Sequence, residues 1–253
     1  MHVLKYSSRF WLYAPTAFFA ALAAAVMIHW WILAGPFEKK LAALKGREAV
    51  PGIALDWDKV DVGGFPFRLD ANFQNLRIAG AAAHGPFSWR SEKFAMHGLT
   101  YGRSQDVYEA AGRQQISWTD SGGQSRDASF QSGSMRGSSI LGSQGLMRFD
   151  LDIAELGGPD FNLVRLQFHM RQGLDGNSLN LMVSTDRLPV GSKKLEHRQL
   201  YLTLEKTESL LPLLRGEKSW PDAVQRWRGD GGSEKLSDDA GERSLAELLN
   251  PLY

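Results

Sequence analysis

The 253-residue chain contains no cysteine. That excludes disulfides, thiol catalysis and thiolate metal sites. It also lacks charge of one prevailing sign, since 29 Lys and Arg stand against 28 Asp and Glu. A nucleic-acid binder shows a basic stripe, so nucleic acid is not an expected partner. Spacings for metal and hydrolase sites are missing as well. His84, His97, His169 and His197 are scattered, with no H-x-x-x-H or H-E-x-x-H run. No G-x-S-x-G elbow occurs. The glycines of 120–145 match neither a Walker loop nor a dinucleotide fingerprint, which need a strand before and a helix after. Asp56 with Asp58, and Asp150 with Asp152, sit at i, i+2 on strand-like stretches and read as solvated or cross-strand-paired carboxylates. No catalytic, cofactor-binding or metal residue is assigned, no cofactor is expected, and the expectation is a non-enzymatic protein.

The sharpest absence is local. Residues 10–34, FWLYAPTAFFAALAAAVMIHWWILA, hold no Asp, Glu, Lys or Arg. As a helix this stretch is about 37 Å long, enough to cross a ~30 Å hydrocarbon core with some tilt. Trp11 and Tyr13 lie near one end and Trp30 and Trp31 near the other, which suits the two membrane–water interfaces. The lipid bilayer is the first expected partner. A cleaved signal peptide has a shorter apolar core, and Ile32-Leu33-Ala34 is a poor cleavage site. Pro15 is expected in the first turn or so, where a missing N–H costs little. His29, beside Trp30, reads as a neutral side chain among head groups. Lys5 and Arg9 precede the span, and Lys39, Lys40, Lys45 and Arg47 follow it. Charge counting alone would put the body in the cytoplasm, but a body of about 210 residues translocates largely regardless of charge.

After the span, Gly35-Pro36 is expected to break the helix. Phe37, Leu41 and Leu44 then line one face of a short second helix that stops at Lys45-Gly46 and either lies on the membrane or caps the body. From Ile53 the periodicity changes from 3.6 to 2. Phe67, Leu69, Ala71 and Phe73 alternate with Arg68, Asp70, Asn72 and Gln74, a half-buried antiparallel strand whose start or edge Pro66 marks. Further strands read at 87–89 and 93–101, with a kink at Gly98. Residues 120–145 are rich in Gly and Ser and read as short strands with long turns or as a flexible lobe. Phe149, Leu151 and Ile153 precede a turn at Gly157-Gly158-Pro159. Leu166, Phe168 and Met170 precede hairpin chemistry at Asp175-Gly176-Asn177. Leu179, Leu181 and Val183, then Leu200, Leu202 and Leu204, continue the meander. Ser219 and Pro221 open a helix through Trp227, and glycines at 229–232 end it. Residues 233–253 are polar, with a short helix-like run at 245–249, and poor order is expected there.

The segment Val60-Asp-Val62-Gly-Gly-Phe65-Pro66-Phe67-Arg68, the N-terminal span and the later Trp220-Pro-Asp…Trp227-Arg-Gly-Asp-Gly-Gly232 together resemble an uncharacterised bacterial family, domain of unknown function 2125. The similarity covers roughly residues 10–232. The Gly-aromatic-Pro-aromatic opening is also similar to that of curved-sheet envelope proteins related to AsmA. The resemblance implies an inner-membrane helix and an extracytoplasmic β-rich body. Family members usually continue with more strands where this chain has a short tail. No catalytic residues are established for the family, so the resemblance implies none here.

The expected architecture is mainly β: one transmembrane helix, then a curved antiparallel sheet that forms a meander, half-barrel or sandwich, with a few short helices. The expected division is a cytoplasmic 1–9, a span at 10–34, a juxtamembrane helix and linker at 35–52, a periplasmic β-rich domain at 53–232 and a tail at 233–253. Large apolar residues at period 2 outnumber what two short helices can cover, so the sheet must bury its face against something. That face is either a solid core or a groove for lipid or another hydrophobic ligand, with Phe67, Leu69, Phe73, Phe149, Leu151, Phe168 and Leu202 as its candidate wall. A scaffold that docks an envelope protein is the alternative function.

Overall fold

The computed structural model describes residues 8–82, 85–100, 105–157, 162–173, 176–189, 194–238 and 241–243. One helix, α1 (Ser8–Leu44), is followed by β1 (Arg47–Val50), β2 (Ile53–Asp56), β3 (Lys59–Gly63), β4 (Arg68–Ala82), β5 (Gly85–Leu99) and β6 (Gln105–Thr119). Then come β7 (Ser125–Gln131), β8 (Ser134–Gly142), β9 (Gly145–Gly157), β10 (Asn162–Gln172), β11 (Ser178–Arg187) and β12 (Glu196–Glu205). A 3₁₀ turn at Thr207–Leu210 leads to α2 (Leu211–Leu214) and α3 (Trp220–Gly229), and β13 (Ser233–Asp238) and β14 (Gly241–Arg243) are the last described elements. The expected points at His84, Gly158-Pro159, Asp175 and 245–249, and the side chain of Trp11, lie outside the described residues.

The fourteen described strands form a single sheet in which every pairing is antiparallel. The alternation at 68–74 and 147–153 places large side chains on one face because paired residues in a ladder share a face. Ala71, Met96, Tyr108, Gly137, Leu151 and Phe168 make one such register row across six strands. The Gly/Ser-rich stretch is neither lobe nor long turns. β7 and β8 lie end to end between β6 and β9, like one long strand broken at Ser132-Gly133.

A crease crosses the sheet at that break. Asn75 and Glu155 both have positive φ, at 53° each, and Gly112 sits at 77°. On β4, β5, β9 and β10 the inward residues fall three apart there, as Phe73 then Leu76, or Ile153 then Leu156. Irregularities of this kind bend a strand and increase its twist, so a row of them curves the whole sheet. β5 is accordingly one 15-residue strand irregular opposite Gly112-Arg113, where the sequence suggested two strands and a kink at Gly98.

Two further expectations are corrected. α1 does not break at Gly35-Pro36, and Pro15 lies well inside it. An interior proline costs about 3 kcal/mol. Here that cost is offset because Ala34 is buried, and Leu41, Phe37 and Leu44 pack against Trp57, Ala71, Phe73 and Leu76. Each large apolar side chain so buried contributes roughly 1.5–3 kcal/mol. The short amphipathic face therefore caps the body as the last turns of the long helix. The tail is the other correction, since β13 and β14 extend the sheet. Leu236 is buried opposite Leu202, and Lys235 pairs with Glu205 at 2.8 Å. One apolar residue in six leaves no readable period.

At the far end, α3 is capped as expected, with Ser219 Oγ accepting from the Asp222 N–H. Its Trp227 is buried beside Met170, Leu179 and Leu204 and donates Nε1 to the Glu205 carbonyl at 2.8 Å. Gly232 lies against the indole ring, where a Cβ would collide with it.

Candidate functional site

The three apolar clusters divide the inward face. One end lies under the last turns of α1. The other lies under α2 and α3. Between them the sheet curves around a concavity of about 410 Å³ that neither helix fills. Its wall is Ile78 of β4, Trp89 and Phe94 of β5, Tyr108, Ala110 and Ile116 of β6, Phe130 of β7, Met135 and Gly137 of β8, and Phe149, Leu151 and Ile153 of β9. Cavities that hold small molecules run from roughly 300 to 1,000 Å³ and are mostly apolar, so this one falls in their range. Trp89 meets Phe94 edge-on at 5.8 Å, and Phe94 stacks on Tyr108 at 6.1 Å, which stiffens one wall. The Tyr108 hydroxyl pairs with Ser139 Oγ at 2.8 Å. Burial pushes its phenol above the ordinary tyrosine range, against the Ser139 hydrogen bond, so the wall carries no ionised group at neutral pH. On β6 the wall residues Tyr108 and Ala110 stand before the crease and Ile116 beyond it, so the cavity spans the bend.

Of the wall expected from the sequence, Phe149 and Leu151 line this cavity. Phe168 packs behind Phe149 at 6.1 Å, and Leu202 belongs to the cluster under α2 and α3. Phe73 is buried between Trp57 at 5.1 Å and Phe94 at 6.1 Å, and so supports the wall from behind. Leu69 is half-buried on the same strand parity. Phe67 is not part of the groove: it stands 54% exposed in the turn before β4. The sequence missed Trp89, Phe94, Tyr108, Ile116, Phe130 and Met135 as wall residues, although the 87–89 and 93–101 strand readings already contained two of them.

A larger depression, about 690 Å³, lies over the crease on the outward face. Gln74, Glu92, Lys93, Glu109 and Arg136 wall it, and mixed charge of this kind suits a solvated surface better than a ligand site. The same face carries three Asp–His pairs. His97, His169 and His197 each stand directly opposite Asp70, Asp150 and Asp186, with Nδ1 at 2.9, 2.6 and 2.6 Å from the carboxylate. Register creates these pairs, so spacing along the chain could not reveal them. Ser138 Oγ reaches Asp150 at 3.5 Å, not the His169 ring, so the three do not form a nucleophile–base–orienter relay. Among the described residues no group of three His, Asp or Glu is placed to hold a metal ion.

Burial acts to raise the Asp150 carboxyl, but hydrogen bonds with His169 and Arg148 outweigh it and hold the group below the ordinary carboxylate range. Asp152 is lowered by its two hydrogen bonds from Arg165, both 2.7 Å, against burial. A carboxyl depressed in the folded state takes up protons later than in the unfolded chain. Its stabilisation is therefore present above the unfolded pKa, near pH 4, and is lost as pH falls through the folded value. Asp150→Asn should lose roughly 2 kcal/mol near neutral pH. Chemical denaturation at a series of pH values should also show a shallower acid decline for the variant than for the native chain.

The aromatic residues expected at the interfaces fall on the part of α1 that precedes the turns packed on the sheet. Tyr13 and Trp31 are exposed, and nearly every side chain from 13 to 29 is too. The helix is long and apolar enough to cross a membrane. Trp30 turns back to the body: its Nε1 donates to the Arg68 carbonyl at 2.9 Å, and Phe65 meets its ring edge-on at 5.8 Å.

Fold and cavity define a class, a curved antiparallel sheet that clasps an apolar hollow and is borne on a long apolar helix. Residues 30–245 match the model of a family described as an uncharacterized protein conserved in bacteria, domain of unknown function 2125, and the chain belongs to that family. The match runs past residue 232 and takes in β13 and β14, where the resemblance alone stopped short. No curated protein and no solved structure matches the chain.

Proposed function

We propose that α1 anchors the protein in the bacterial inner membrane, with the body in the periplasm, and that the cavity holds an acyl chain of a lipid without catalysing a reaction. The observation that carries this reading is the hollow itself, walled by apolar and aromatic side chains of β4 to β9 in a sheet whose two ends are already covered. An apolar concavity left open to water is unfavourable, and a hydrocarbon chain satisfies it without any polar partner. The anchor supports the reading because side chains exposed all round an apolar helix need lipid about them. Periplasmic placement is supported by the length of the trailing body, which translocates regardless of flanking charge.

The test uses two neighbouring alanines. Ala110 is buried and points into the cavity, while Ala111 points outward and is exposed. Ala110→Trp should fill the hollow and Ala111→Trp should not. In native mass spectra of the detergent-extracted full chain, lipid adducts should fall strongly for the first variant and stay at the native level for the second. Equal lipid in all three proteins would overturn the cavity as the binding site. Protein adducts in place of lipid would favour the docking scaffold.

A further inference from the structure

We infer that the turn at residues 64–67, with Leu99 beside it, is a second membrane contact that inserts its aromatic side chains at the acyl–headgroup boundary. The inference rests on the reading of α1 as a span and goes beyond it, because a span alone would leave the body free to swing. Among the described residues outside α1, Phe67, Phe65 and Leu99 are the three most exposed large apolar side chains, at 54, 52 and 51%. They also lie at the same end of the β4–β5 ladder. Arg68 pairs with Leu99 in the ladder, and both the N–H and the hydroxyl of Thr100 donate to the Phe67 carbonyl. Three such side chains at one end of the sheet are costly in water and favourable at a membrane boundary.

The height of the turn is fixed by α1. From Tyr13 to Trp30 is 30 − 13 = 17 residues, or about 26 Å of helix, against a hydrocarbon core of ~30 Å. With Tyr13 at one interface, Trp30 lies within a few ångströms of the other. Phe65 touches that indole, so the turn lies at the same depth.

Backbone groups at both ends of the turn are paired within the protein. Irregular backbone is tolerated at membrane depth only where its polar groups are paired within the protein. The Arg68 N–H donates to the Gly64 carbonyl at 2.9 Å. The Phe67 carbonyl accepts from Thr100, and the Arg68 carbonyl accepts from Trp30. Pro66 has no N–H to satisfy. Behind the turn the Arg68 guanidinium is 56% exposed and paired on one side with Asp70, well placed to lie among lipid phosphates.

The chain has no cysteine, so a single introduced thiol carries a single probe. The full chain is reconstituted in vesicles of equal parts phosphatidylcholine and phosphatidylglycerol. An environment-sensitive fluorophore is placed by Phe67→Cys, Leu22→Cys or Ala111→Cys in three separate proteins. Lipids bearing a quencher at either the headgroup end or the methyl end of one acyl chain report depth. Insertion predicts that the residue-67 probe shifts to the blue and loses most of its emission to the shallow quencher. The residue-22 probe should be quenched by the deep one, and the residue-111 probe by neither. Deep quenching at 22 with none at 67 overturns the insertion while the span stands. Quenching at 67 with none at 22 supports the insertion and overturns the span. A blue shift at 67 without lipid quenching assigns the turn to a protein contact and overturns the inference, as does the absence of any change at both positions.

Discussion

Phe73→Asp should abolish the cooperative thermal unfolding of the body, and Asn72→Asp, one residue away, should leave it intact. Phe73 is 7% exposed and is held by Trp57, Phe94 and Leu41. Loss of a buried Phe side chain costs about 3–5 kcal/mol by itself. The carboxylate would add several kcal/mol more or be forced to protonate, because Leu41, Trp57, Ala71 and Leu76 cluster with that position. Total domain stability is about 5–15 kcal/mol, so the sum approaches or exceeds it. Asn72 is exposed on the opposite face, and a charge there stays in water. Differential scanning calorimetry of both variants distinguishes the outcomes. Equal behaviour would mean that the strand faces are misassigned, since a one-residue slip exchanges the two positions.

The anchor gives the second large effect. Leu22→Arg combined with Val26→Arg should remove the chain from the membrane. Each arginine at the centre of a span costs about 3 kcal/mol, and each apolar residue that remains returns only about 0.3–0.6. Alkaline phosphatase fused after Tyr253 should be active on the native chain and inactive on the double variant. Activity in both would contradict insertion through this segment, and inactivity in both would contradict a periplasmic body. A mature chain that begins near Gly35 would identify a cleaved signal. Such cleavage would also sever the Trp30 contact with Arg68.

The fold was readable wherever a strand is half-buried and free of irregularity. Leu69 to Phe73, Phe149 to Ile153 and Leu200 to Leu204 each alternate strictly, and each lies in a strand of the sheet. The reading weakened at the crease. Asn75 and Glu155 shift the inward parity by one residue, so Leu76 and Leu156 fall out of phase with the residues before them. It failed where burial is sparse, as in β7 and β8, whose inward set is Ala128, Phe130, Met135, Gly137 and Ser139. Pro36 misled because its cost is local and its compensation is tertiary, supplied by Leu41 and Phe37 on a sheet formed later in the chain. The cavity was legible only in part for a related reason. Periodicity shows which face of a strand is apolar, but only register brings Trp89, Phe94, Tyr108 and Phe130 from three strands around one hollow.

Photocrosslinking tests the central claim most directly. The full chain in bilayer discs of bacterial phospholipid is given a phospholipid with a diazirine near the methyl end of one acyl chain, illuminated, digested and analysed by mass spectrometry. Acyl binding in the cavity predicts adducts on β5 and β6, at or beside Trp89, Phe94, Tyr108 and Ile116. Adducts confined to residues 13–32 and to the turn at 64–67, with none on β5 or β6, would show that lipid surrounds the anchor but does not enter the sheet, and would contradict the account.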